Sequence, residues 1–279
     1  MLSDKGVVVS GESEFRQEVR TVEQPSDLRK PEVLILTVKT YDVDAALAAV
    51  KHLQVDVALG VQNGVLKDQQ IADVFGAEST LGAIADFSGE VLPDGTVRFT
   101  RNEGFYIGEL PNGTSGRVES LVQSLNDAGV VSFASDDILS LEWSKLAGWL
   151  GLTAVSVLSR LHTHHVLQSP ELASLQVSIV REASQLASRM GVSLQDIGVL
   201  SAGSICGQDD EGAIAGIRRA GEAMEARGLL THKMSALQDV ERGRRLEVEE
   251  TFGYVLRKGV EFGLEMSALE TCYRLLAGD

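Results

Sequence analysis

Lys145 sits where a charged side chain is least at home. It lies within DDILSLEWSKLAGWLGLTAVSVLS, residues 136–159, where Ile138, Leu141, Leu146, Trp149, Leu152, Val155 and Leu158 recur at threes and fours behind two acids. That pattern predicts one long, mostly buried helix. A lysine on it either carries its ammonium to the surface on an apolar stem or is held inside for chemistry. Lys39 and Asn63 are candidates of another kind, since each follows an apolar run, EVLILTV at 32–38 and VDVALGV at 55–61. In an open parallel sheet ligands bind beyond the carboxyl ends of the strands, where a lysine can meet a phosphate or ribose. Gln62-Asn63-Gly64 can equally be only a turn.

Other polar groups read more plainly. HKMSALQDVERGRRLEVEETF, residues 232–252, is dense in charge and reads by itself as a solvated helix pair with exchangeable ion pairs, Ser235 serving as an N-cap. His162, His164 and His165 lack an acid or cysteine at a matching helical spacing, so they read as a solvated helix end, with no metal site expected. Asp86 with Glu90, and Asp209-Asp210-Glu211, read as loop and helix-start acids. Trp149 reads as core packing.

The elements that must position these residues fall into two halves. Val7–Ser10 and Phe15–Val22, parted by Gly11-Glu12, suggest an antiparallel hairpin. Glu32–Val38 reads as a parallel strand covered on both faces. Val43–Leu53 reads as a helix, Asp56–Val61 as a second buried strand and Asp68–Phe75 as a helix, a succession that implies a right-handed βαβ sheet. Thr80–Ala85 is expected to continue that sheet. Short antiparallel additions follow near Glu90-Val91, Val97–Thr100 and Tyr106-Ile107, separated by Pro93-Asp94-Gly95 and Asn102-Glu103-Gly104. A helix at Arg117–Ala128 and a strand at Val130–Ala134 lead into the long helix. Beyond it only helices are evident: from Ser169-Pro170 to Met190, Asp210–Arg227, Ser235–Arg242, Glu247–Gly263 and Ser267–Leu276. The expected architecture is α/β plus all-α, a Rossmann-type mixed sheet domain over 1–135 followed by a helical domain over 136–279.

Composition narrows the function. The 279 residues are 44% hydrophobic with a formal charge of −15, enough for two ordinary cores and repulsive to nucleic acid and anionic membrane surfaces. Cys206 and Cys272 are too few for a disulfide framework, and no apolar run reaches the length of a membrane span. The N-terminus lacks the basic start and apolar stretch of a signal peptide, so a reduced cytoplasm is the default location.

Four stretches in register, LILTVKTYD (34–42), VQNGV (61–65), LEWSKL (141–146) and SALQDVERGRRLEVE (235–249), resemble the ketopantoate reductase (2-dehydropantoate 2-reductase) family over almost the whole chain. The resemblance implies an NADPH-binding Rossmann domain, a helical domain and a cleft between them for a small 2-oxo acid. It implies that Lys145 is the general acid, that Glu247 binds the substrate hydroxyl, that Ser235 contacts the substrate carboxylate and that Lys39 and Asn63 lie on the cofactor side. Hydride delivered to a 2-oxo carbon makes an alkoxide that needs a proton and a nearby positive charge, and an ammonium supplies both. The family opens with a strand, a Gly-x-Gly-x-x-Gly turn and a helix, whereas this chain resembles it only from LSDKGVVV onward. Weak or no NADPH binding is therefore expected. Trp149 and Thr153 stand where the family commonly has asparagines, which points to a different 2-oxo acid as the alternative substrate. A non-catalytic dimerisation or small-molecule-binding module is the reading from another class, and a homodimer is left open.

Overall fold

The computed structural model describes residues 6–28, 30–197 and 201–278, so residues 2–5 of the LSDKGVVV stretch lie outside the described residues. Two compact units are present. The first runs to Val38 and takes in Asp42–Gln62 and Asp68–Ile138; the second takes Lys39–Tyr41, Asn63–Lys67 and the chain from Leu139 onward.

In the first unit, strands β1 (Val7–Gly11) and β2 (Phe15–Gln17) form the expected hairpin. Strands β3 (Val33–Leu36) and β4 (Val57–Gly60) pair in parallel, with helix α1 (Val43–Val50) between them and helix α2 (Leu66–Phe75) after them. Leu36, Val43, Leu47, Ala58 and Ile71 close one face of this pair. The other face corrects the expectation of a strand covered on both sides, because Val33 and Ile35 each remain 37% exposed. The two strands form a sheet of their own, in which β4 is buried on both faces, its Val57 and Leu59 joining a second core, and among the described residues a single bridge, Ala58 to Thr80, leads onward.

Of Thr80–Ala85, Thr80 meets that sheet through its parallel bridge to Ala58, and the remainder lies in another. It opens β5 (Leu81–Val91), which pairs antiparallel with β6 (Val97–Glu109) in a five-stranded sheet. β1 and β7 (Ser132–Ala134) both run parallel to β6, near its two ends. Three short segments were expected here and two long strands are found. The Pro93-Asp94-Gly95 turn holds, but Asn102-Glu103-Gly104 stays within β6, with register shifts opposite in β5. The Asn102 side chain donates to Gly129 O at 3.1 Å and accepts from Val131 N at 3.1 Å, so its polar groups are satisfied without ending the strand. Asp86 and Glu90 are accordingly strand residues, paired with Arg101 and Arg98.

Gly82 and Gly108 face each other across β5 and β6. A Cβ on either would come within 2.9 Å of Ile138, so two adjacent glycines leave the room into which Ile138 seats. Helix α3 (Gly116–Asp127), started by Ser115, adds Val118 to the core of Leu59, Leu81, Phe105 and Ile107.

The second unit is helical, as expected. Helix α4 (Ile138–Ser159) supplies Trp143, Leu146, Leu150, Val155 and Val157 to a large apolar core. Short helix α5 (Thr163–Gln168) follows, then α6 (Pro170–Arg189), whose first turn is capped by Ser169 accepting from Leu172 N. Gly151 of α4 lies so close to α6 that a Cβ would sit 3.2 Å from Gln176 O. Helices α7 (Ala202–Gly207), α8 (Asp210–Ala226) and α9 (Ser235–Glu241) precede a π-helical turn at Glu249–Gly253 that runs into α10 (Tyr254–Glu261). Helix α11 (Ser267–Ala277) has no side-chain cap of its own, and Glu182 of α6 accepts from Ala268 N at 2.9 Å and Leu269 N at 2.8 Å. The histidine cluster is a solvated helix end only in part, since His165 is exposed. His164 is buried within α5, its ring 3.9 Å from that of His165. No helix among the described residues is long and apolar enough to cross a membrane.

Candidate active site

The polar centre of the second unit is Glu247, only 7% exposed. A buried carboxylate is tolerable when its oxygens meet donors and a counter-charge, and the two short segments that follow β3 and β4 supply two donors and a cation. Thr40 N donates to Oε1 at 3.0 Å, Asn63 Nδ2 donates to Oε2 at 3.3 Å, and the Lys39 ammonium lies 3.6 Å from Oε2. Asn63 reaches it because the chain turns sharply at Gly64, whose φ of 87° favours glycine. Thr251, in the π-helical turn, hydrogen-bonds to the Glu247 carbonyl. Such turns recur at functional sites.

Asp239 of α9 is the second buried carboxylate. Lys39 Nζ donates to its Oδ2 at 2.6 Å, and Arg244 Nη1 stands 3.7 Å from its Oδ1. Desolvation works against the Lys39 ammonium, but the hydrogen bond to Asp239 and the charges of Glu247 and Asp239 outweigh it, so the Lys39 pKa lies above its ordinary value. Around this centre, Thr40 Oγ1 is 3.4 Å from Glu250 Oε2, Arg245 reaches Glu250 at 3.1 Å, and the Arg245 guanidinium lies 4.7 Å from the Tyr41 ring centroid.

Lys39, Asn63 and Glu247, chosen from sequence, are thus brought into one cluster, Asn63 by a hydrogen bond to Glu247 and Lys39 by an ion pair with it. Lys145 and Ser235 are placed by the helices that carry them. On α4 the half-buried positions Leu141, Lys145 and Trp149 recur every fourth residue, while 150–157 are buried throughout. Lys145 therefore lies on an open stripe of an otherwise enclosed helix. Trp149 shares the stripe, with its ring centroid 6.2 Å from that of Phe252 in the π-helical turn. Ser235 is exposed as the first residue of α9, one turn before Asp239, and the N-cap is Met234, so the capping role expected of Ser235 is not its own. The stretch 232–252 is no solvated pair either, since it buries Asp239, Glu247, Thr251 and Phe252.

Sequence reasoning passed over Thr40, Asp239 and a fully buried ion pair between Lys67 and Glu142, 2.7 Å apart. Asp239 stood inside a quoted motif, but nothing local pairs a helix acid with a lysine 200 residues away. The sequence pattern starts helix α2 at Asp68, whereas it begins at Leu66 and takes Lys67 into its first turn. A lysine there sits at the wrong end of the dipole and asks for a carboxylate. Among the described residues no group of three or more His, Cys, Asp or Glu could hold a metal ion.

Residues 137–278 match the family described as "Ketopantoate reductase PanE/ApbA C terminal", and residues 2–112 match "Ketopantoate reductase PanE/ApbA". The chain belongs to the ketopantoate reductase family. It is therefore an oxidoreductase by family. It is 27% identical over 274 residues to the 2-dehydropantoate 2-reductase of Archaeoglobus fulgidus, covering 98% of this chain and 84% of that one. The solved structure of the 2-dehydropantoate 2-reductase from Geobacter metallireducens GS-15 is similar at a TM-score of 0.81 and 21% identity, covering 99% of this chain and 87% of that one. A ternary structure of D-mandelate dehydrogenase with NADH and anilino(oxo)acetate is similar at a TM-score of 0.81 and 16% identity, covering 99% and 85%. At these identities the two structures are likenesses of fold. Lys39 Nζ, Thr40 N and Asn63 Nδ2 are hydrogen-bond donors of the kind that ribose hydroxyls and a carboxamide oxygen accept, and here they are engaged by Asp239 and Glu247. The sequence holds no Gly-x-Gly-x-x-Gly for a pyrophosphate.

Proposed function

We propose that this chain reduces 2-dehydropantoate to pantoate with NADPH, a step toward pantothenate and coenzyme A. The observation that carries the reading is the occupancy of Glu247. A carboxylate offers about four acceptor sites, of which Thr40 N uses one on Oε1 and Asn63 Nδ2 one on Oε2, with the Lys39 ammonium 3.6 Å from Oε2 as an ion pair. The second site on Oε1 suits a substrate hydroxyl held beside the cofactor-side residues. A bound reduced nicotinamide supplies the hydride. Lys145 then gives its proton to the carbonyl oxygen and stabilises the charge developing there, and Ser235 donates to the substrate carboxylate. On this reading residues 1–135 serve the cofactor and 136–279 the substrate. The test is loss of nicotinamide absorbance when 2-dehydropantoate is added to the chain with NADPH, with NADH run in parallel. Turnover faster with NADPH supports the reading, and no turnover with either cofactor removes it.

Trp149 supports a second reading. Its half-buried ring on the Lys145 stripe puts an apolar wall one turn from the proton donor, which favours a 2-oxo acid with a bulky apolar substituent. A panel of 2-oxo acids under the same assay separates the two.

A further inference from the structure

Lys67 and Glu142 are both withdrawn from solvent, with side chains 2% and 0% exposed, and Lys67 Nζ donates to Glu142 Oε1 at 2.7 Å. Two physical arguments say that such a pair is not kept for stability. Taking both charges out of water offsets their attraction, so well-packed apolar side chains of similar volume would hold the same space as well or better. Lys67 also lies in the first turn of α2, where the helix dipole disfavours a cation.

What the pair joins is specific. Lys67 stands four residues after Asn63, with only Gly64, Val65 and Leu66 between them. Glu142 stands three residues before Lys145 on α4, on the adjoining turn of the same face. Val65 is itself buried in the cluster that contains Trp143 and Leu146. Apolar packing thus presses the segment 63–67 onto α4, but apolar contacts are non-directional and tolerate sliding. A charged hydrogen bond has a preferred length and direction.

We propose that the Lys67–Glu142 pair is a positioning device that fixes the Asn63 turn, and with it the Asn63–Glu247 hydrogen bond, in register with Lys145. The inference rests on the reading of Asn63, Glu247 and Lys145 given above. The pair itself touches neither substrate nor cofactor. Its effect is on distance, and a displacement of about an ångström between a proton donor and the groups that hold its substrate lowers turnover by up to about a hundredfold.

The test is the double variant Lys67→Met/Glu142→Leu, in which apolar side chains replace both charges and the fold is expected to persist. Turnover should fall at least about tenfold with a much smaller change in KM, as expected for an interaction realised in the transition state. Amide exchange over 63–67 should accelerate while the melting temperature is held or raised. A folded double variant with wild-type kcat and unchanged exchange over 63–67 overturns the proposal. Should the double variant not fold, Glu142→Asp takes its place, since it keeps the charge and shortens the reach by one methylene. It should lower kcat without raising KM in proportion, and wild-type kcat in that variant overturns the proposal equally. If the wild-type chain reduces no 2-oxo acid, the proposed function fails separately, and amide exchange over 63–67 still decides whether the pair sets the position of the Asn63 turn.

Discussion

Asn63 and Glu247, 184 residues apart in sequence, are joined side chain to side chain at 3.3 Å. One belongs to a turn after a strand and the other to the approach to a π-helical turn. The carboxylate that would read the substrate is therefore oriented by a carboxamide assigned to the cofactor side. Alteration of either should be felt in the binding of both ligands.

Glu247→Ala removes the acceptor of Thr40 N and the partner of Asn63 together. Leaving the buried Thr40 N–H unpaired should cost about 1–3 kcal/mol of stability, while KM rises and kcat falls. Ser235→Ala, at an exposed position, should raise KM and change stability by less than about 0.5 kcal/mol. Steady-state kinetics beside urea unfolding separate these outcomes, and unchanged constants in both variants would remove the substrate role from this stretch.

Lys145→Ala should lower kcat by about a hundredfold or more, the scale of a positioned proton donor. Lys145→Arg should not restore it, because a guanidinium keeps the charge but is too weak an acid to release its proton. Cofactor affinity, followed by nicotinamide fluorescence, should hardly change in either. Turnover of Lys145→Ala near the wild-type rate would withdraw the general-acid role.

Lys39 gives the fold an alkaline limb. Its pKa is raised in the folded state, where Asp239 and Glu247 outweigh desolvation, so the folded protein binds that proton more tightly than the unfolded chain does. The stabilisation is complete below the ordinary lysine value of 10.5 and disappears as pH rises through the higher folded value. Thermal melts across that range should show a steeper loss in the wild type than in Lys39→Met. Parallel curves would mean that the Asp239 contact holds no proton.

His164 acts at the other end of the scale. Desolvation lowers its pKa, with help from the charges of His165 and His162 and opposition from Glu225. Because the neutral form is preferred on folding, the stabilisation is present above the ordinary value of 6.5 and is lost as pH falls through the depressed folded value. His164→Leu should flatten the acid limb of melting temperature against pH. An unchanged limb would place the sensitivity elsewhere.

The parts of this architecture legible from sequence were those written in local patterns. The threes and fours of α4, the Ser169-Pro170 start of α6 and the apolar runs ending before Lys39 and Asn63 all rest on short-range geometry. Partnership was the part left unread. Asn102-Glu103-Gly104 looks like a strand break until Asn102 finds Gly129 and Val131, and Val33–Leu36 looks doubly covered until its sheet proves to have two strands. Within the site, residue types and order pointed to Lys39, Asn63 and Glu247. That Asp239 rather than Glu247 takes the shorter contact with Lys39, 2.6 Å against 3.6 Å, depends on the placement of α9, which no residue near Lys39 encodes.

Glu182 leaves the last helix without independence. An 11-residue segment is too short to be stably helical alone in water, and its first amides are held by a side chain 86 and 87 residues earlier. The C-terminal segment thus has its starting point marked in advance by α6, and it can acquire order only by docking on a helix that has already formed. Synthesis from the N-terminus suits that dependence, because the template leaves the ribosome well before the segment that must be laid upon it.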